Sequence, residues 1–319
     1  MRTIGLIATL TAATLVTACV QRADDHPIKQ VLPTAESVSI KVPGQAAAAT
    51  WALGDIADYY RITRDVSRNL NGGAAWVLIL VHTIVQYPAT DVTGNTYTWG
   101  PHSDALDPAE WRLVVSENED GTYDWSFDGR SKTEANSSFE TVINGHAVPG
   151  DIPQRGSGVF AIDFDAAERV NPIDNDARGQ VAIEYDLNNL DNTPATLTMS
   201  IDSVQADENG VEQPVHFDYA YAENQDGSGD LQFQIHGDLD DDGSQFEDAL
   251  IRSRWLSTGP GRADVMAQGG DLGELVVTVS ECWDDTFRRV YYADSEAWLP
   301  TEGDQADCAF ADQDLPSSL

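Results

Sequence analysis

The chain has 319 residues, 41% of them hydrophobic, which is enough for one large β-rich domain or two smaller ones. Its 53 acidic residues outweigh 18 basic ones, giving a formal net charge of −35. That balance excludes nucleic acid and anionic lipid surfaces as partners, because both reward lysine and arginine. An exported, lysine-poor, aspartate-rich surface suits a saline medium, where screening limits self-repulsion.

The amino terminus carries Arg2 ahead of a mostly apolar, threonine-containing run from Ile4 to Val16. The run is too short to cross a bilayer as a helix and fits the hydrophobic part of a secretory signal. The next residues, Val16-Thr17-Ala18-Cys19, resemble the lipobox of bacterial lipoproteins. The resemblance implies that residues 1–18 are a signal peptide and that the Cys19 thiol receives a diacylglyceryl group, with acylation of the new amino terminus. It also implies the cell envelope, and Val20 in place of an aspartate implies the outer membrane. Ordinary cleavage after Ala18 is the alternative, and cysteine parity argues against it. With Cys19 lipidated, Cys282 and Cys308 remain as an even pair, expected to form a disulfide in an oxidising compartment. Closing that loop stabilises the fold by about 3.5 kcal/mol in the chain-entropy model.

Residues 19–36 are polar, contain two prolines and show no periodicity, so they are expected to be a lipidated tether ahead of a single domain, 37–319. A short strand is expected over Ser37 to Val42. Over 51–70, Ile56, Tyr59, Thr63, Val66 and Leu70 recur at helical spacing, and Asn71-Gly72-Gly73 supplies a stop. The run 74–87 is apolar nearly all round until Pro88 and predicts a second helix, buried on every side; His82 within it is expected to be a satisfied core histidine.

Beyond Pro88 the period becomes two. Trp111, Leu113 and Val115 alternate with polar neighbours, as do Tyr123, Trp125 and Phe127, then Phe160, Ile162 and Phe164. Further runs follow at Val181–Tyr185, Leu197–Ile201, Val215–Tyr221, Leu231–Ile235, Ile251–Trp255 and Leu275–Val279. Asp120-Gly121, Asn144-Gly145, Asn209-Gly210, Asp226-Gly227 and Asp242-Gly243 are expected to close tight hairpins. The predicted fold is therefore mainly β (α+β). A large antiparallel meander curves into an open or partly closed barrel over an N-terminal helical pair. This architecture is similar to the open barrels of bacterial lipoprotein carriers and lipid-transfer lipoproteins. An outer-membrane barrel is not expected, since the strands lack paired aromatic girdles.

Motifs for chemistry are few. There is no nucleophile elbow, zinc-protease helix, Walker loop or dinucleotide fingerprint. In "HGDLDDDGSQFED", Asp238, Asp240, Asp242 and Gly243 match positions 1, 3, 5 and 6 of a calcium loop. Position 12 is Ala249 instead of glutamate, with Glu247 and Asp248 just before it, so an acidic hairpin turn is the preferred reading. No cofactor is expected beyond that candidate calcium. Tyr123, Trp125 and Phe127 could stack on a sugar if they faced solvent, but core is expected. The function expected is a membrane-anchored, non-enzymatic lipoprotein whose sheet and helices form a binding scaffold for an apolar small molecule or lipid. A structural or adhesion module with a calcium-binding hairpin and an unrecognised hydrolase are the alternatives.

Overall fold

A computed structural model describes residues 27–44, 56–175, 177–188, 193–206, 211–237 and 245–316. Among these, the strands form one 15-stranded antiparallel sheet in strict chain order, with two open edges. The first six strands are β1 (Asp91–Thr93), β2 (Thr96–His102), β3 (Ala109–Glu117), β4 (Tyr123–Ser131), β5 (Glu140–Val148) and β6 (Ser157–Asp163). The middle of the sheet is β7 (Gln180–Asp186), β8 (Ala195–Ala206), β9 (Glu212–Glu223), β10 (Gly229–Gly237) and β11 (Glu247–Trp255). It ends with β12 (Gly261–Gly269), β13 (Val276–Trp283), β14 (Arg289–Asp294) and β15 (Glu302–Gly303). The α-helices among the described residues are α1 (Ile28–Val31), α2 (Asp58–Ile84) and α3 (Phe164–Val170). None is long and apolar enough to cross a membrane.

The predicted alternation sorts the two faces as expected. Leu113, Val115, Trp125, Phe160, Ile183, Leu231, Phe233, Ile251 and Trp255 are buried on the inner face. Tyr123, Trp125 and Phe127 all lie in this core and are not a sugar platform. The β3–β4 and β9–β10 hairpins close on the same pattern, Asn118-x-Asp120-Gly121-Thr122 and Asn224-x-Asp226-Gly227-Ser228. In each, the aspartate accepts from the backbone and hydroxyl of the Thr or Ser two residues on. The glycine takes positive φ, +82° and +83°.

Asn144-Gly145 is not a turn but lies inside β5. There Gly145 pairs across the ladder with Trp125, and a Cβ on it would stand 2.4 Å from the indole. The glycine makes room for a ring instead of bending the chain. Phe164 likewise leaves its predicted strand. Asp163 accepts from the Ala166 amide at 2.9 Å, which starts α3.

The helical pair expected near 51–70 and 74–87 is one continuous helix, α2, running through Asn71-Gly72-Gly73. Its C-terminal half is not buried on every side: Val77, Leu78 and Val81 are buried, but Ile79 is 58% exposed. Thr63, buried on the inner side of α2, shares a 2.6 Å hydrogen bond with Ser253 of β11. At one end of α2, buried Glu281 of β13 accepts from the Asp58 and Tyr59 amides and from Arg289, satisfying donors that a helix start leaves open. At the other end, Trp99 of β2 donates to the Tyr87 carbonyl. A 27-residue helix is about 40 Å long, whereas a flat sheet would need about 53 Å from β2 to β13. The sheet must curve to meet both ends.

Part of the expected tether belongs to the body. Ile28, Val31 and Leu32 are buried, because α1 and the segment after it lie against the sheet's inner face. Residues 37–42 form no ladder strand. Val38, Ile40 and Val42 still alternate inward, held by Asn71, which bonds both the N–H and C=O of Ile40. The Tyr221 hydroxyl and Trp255 indole bond the backbone of Lys41 in the same way. Side chains from the helix and sheet replace the neighbouring strand.

Candidate functional site

The outer face of β4–β9 carries a groove of about 600 Å³. Strand register builds it. One cross-strand row runs Asn144, Ala161, Ala182, Ser200 and Asp218; the next runs Asp124, His146, Val159, Glu184, Thr198 and Ala220. Small side chains in adjacent strands leave a furrow between the longer ones, and Val159, 47% exposed, gives it apolar surface. The volume falls within the ~300–1,000 Å³ of small-molecule sites.

Carboxylates punctuate the groove. At one end Asp124 accepts from His146 at 2.7 Å and from Asn118 at 2.9 Å, and these bonds hold its carboxyl below the ordinary range. At the other end Asp218 bonds His216, which also bonds Asp202 directly across the ladder. The two carboxylates push the His216 imidazole above its ordinary value. Between them, the exposed side chain of Glu184 makes no hydrogen bond or ion pair with any described residue. None of the lining residues is lysine or arginine. The arrangement can hold an apolar body and an adjacent positive charge.

A second recess, about 480 Å³, lies at the C-terminal end of α2 among Ile84, Tyr87, Pro88 and Trp99. In the same last turns of α2, His82 Nε2 bonds the Pro33 carbonyl at 2.9 Å, so that histidine is satisfied as expected. That bond brings the segment after α1 to this end of the body.

Cys282 and Cys308 form the expected disulfide. It pins a C-terminal strap over the outer face of β11–β13. There buried Arg262 bonds Asp264 and the Phe310 and Ala311 carbonyls. Arg252 and Arg254 both pair with Asp314. Cys19 lies outside the described residues, as do Asp238, Asp240 and Asp242. The hairpin flanking those aspartates is antiparallel strand on both sides, with Gly237 opposite Glu247. Of the carboxylates near the missing twelfth ligand, Glu247 accepts from the Asp271 amide and Asp248 pairs with His236. Among the described residues, no group of three or more His, Cys, Asp or Glu side chains could hold a metal ion.

The groove does not stand out in the sequence. Ala161, Ala182, Ser200 and Ala220 occupy ordinary outward positions of their strands, and only register aligns them. The available signal was the small size of outward residues in consecutive strands. Comparison with protein-family models, with curated proteins and with solved structures finds no match to this chain.

Proposed function

We propose that the protein is a non-enzymatic binding scaffold, held at the outer membrane by lipid on Cys19, whose outer-face groove takes an apolar ligand. The groove across β4–β9 carries this reading: it has the size of a small-molecule site and an alanine-lined floor. Burial of Ile28, Val31 and Leu32 leaves only residues 20–26 between Cys19 and the body. Even fully extended, that stretch spans about 28 Å, so the body would sit close to its anchor. The recess beside Tyr87 and the exposed side chain of Ile79 would then lie on the membrane side.

Two measurements test the reading. Palmitate labelling in cells should mark the wild type and not Cys19→Ser; label that persists in the variant removes the anchor. Native mass spectrometry of the purified protein should show a co-purifying apolar molecule. Ala182→Trp, which fills the groove from an exposed position, should lose it. A wild-type protein that is clean of ligand, or a ligand retained by the variant, sinks the groove as the site.

A further inference from the structure

We propose that the ligand of the outer-face groove is an amphipathic organic cation, a single extended apolar chain with a basic head, and that Glu184 is its counter-ion. The inference rests on the groove being the ligand site and adds what the ligand must be.

Shape sets the apolar part. The groove crosses six strands, a path of about 24 Å at ~4.8 Å per strand step. Spread over that length, its volume of about 600 Å³ gives a section of roughly 25 Å², which suits one extended chain and not a fused ring system. Ala161, Ala182 and Val159 supply apolar contact along the path.

Charge sets the head. Among the described residues, three carboxylates line the groove and no lysine or arginine does. Asp124 and Asp218 already have histidine partners, whereas Glu184 stands in the ladder between Val159 and Thr198 with none. A carboxylate fixed midway along an apolar furrow repels fatty-acid and phosphate heads and attracts an ammonium or guanidinium. The field of a −35 chain favours the same sign of ligand at longer range.

The test uses the full chain carrying Cys19→Ser, so that no detergent is needed, and three probes with the same dodecyl tail below their micellar concentrations. Dodecyltrimethylammonium, dodecyl maltoside and dodecyl sulfate are titrated by calorimetry. The cation should bind up to about fivefold tighter than the neutral probe, as an exposed ion pair would give. The sulfate should bind weakest. Glu184→Gln should erase the preference for the cation and leave the neutral probe unchanged, and Ala182→Trp should abolish both. Equal affinity for cation and maltoside, unchanged in Glu184→Gln, would overturn the basic head while leaving the groove as an apolar site. Binding of no probe would overturn both readings. Cation binding that survives Ala182→Trp would reveal adsorption to the acidic surface and overturn the proposal.

Discussion

Gly145 shows how single residues set the packing of this sheet. Glycine opposite an aromatic ring recurs across the ladders: Gly129 faces Trp111, Gly145 faces Trp125, Gly158 faces Tyr185, Gly229 faces Trp255 and Gly261 faces Trp283. In each case an added Cβ would lie 2.4–2.6 Å from the ring system or its hydroxyl. The large side chain lies down over its glycine, covers the bare backbone and keeps the sheet thin enough to curve. Gly145→Ala should therefore cost about 1–3 kcal/mol by overpacking, since backbone and indole must both shift. Gly237→Ala is the control, because nothing lies within 4 Å of its Cβ position and its φ is not positive. It should stay within about 0.5 kcal/mol of wild type. Urea midpoints at unchanged m-value read both, and equal costs for the two substitutions would refute the ring-shelf account.

Asn71 carries the corresponding lesson for elements. Followed by two glycines it has the chemistry of a helix stop, yet α2 continues to Ile84. Each glycine costs about 1 kcal/mol in a helix interior. Burial of Tyr60, Thr63 and Leu70 before them and of Val77, Leu78 and Val81 after them outweighs that cost. Asn71 is there to clamp Ile40, its amide oxygen accepting at 2.7 Å and its nitrogen donating at 2.9 Å. Asn71→Ala should cost about 2 kcal/mol, because two backbone groups lose their partners. Amide exchange should accelerate at Ile40 and stay slow from Val77 to Val81. A helix shortened by the substitution would instead show that Asn71 ends a helical segment. The strands were legible because their alternation is local, as were the hairpins at Gly121 and Gly227, whose loops are self-contained. The fate of Asn71, Gly145 and Ile28 was not, since each is decided by a partner far away in the chain. The groove was illegible for the same reason: Ala161, Ala182 and Ser200 acquire meaning only from register.

The whole molecule is an open sheet that protects its edges by brevity, three residues in β1 and two in β15, leaving little backbone for another chain to pair with. The Cys282–Cys308 disulfide and the strap beyond it cover Arg252, Arg254 and Arg262 of β11 and β12, so that these three charges are spent internally. What remains is a strongly anionic surface, and its self-repulsion should govern stability. Raising sodium chloride from about 10 to 150 mM shortens the screening length from ~30 to ~8 Å, so the melting temperature should rise. A specific calcium site would add to this. Calcium bound only to the folded state stabilises by RT ln(1 + [L]/Kd), about 2.7 kcal/mol at a hundredfold excess over Kd. In a body of this size that is a shift of several degrees, and extracellular sites require titration to roughly 10 mM or beyond. Glu247 and Asp248, the carboxylates nearest the missing twelfth position, already bond the Asp271 amide and His236. Calcium and magnesium at equal ionic strength should therefore give equal shifts, unchanged by Asp240→Asn combined with Asp242→Asn. A calcium-selective shift that the double substitution removes would establish the acidic hairpin as a metal site.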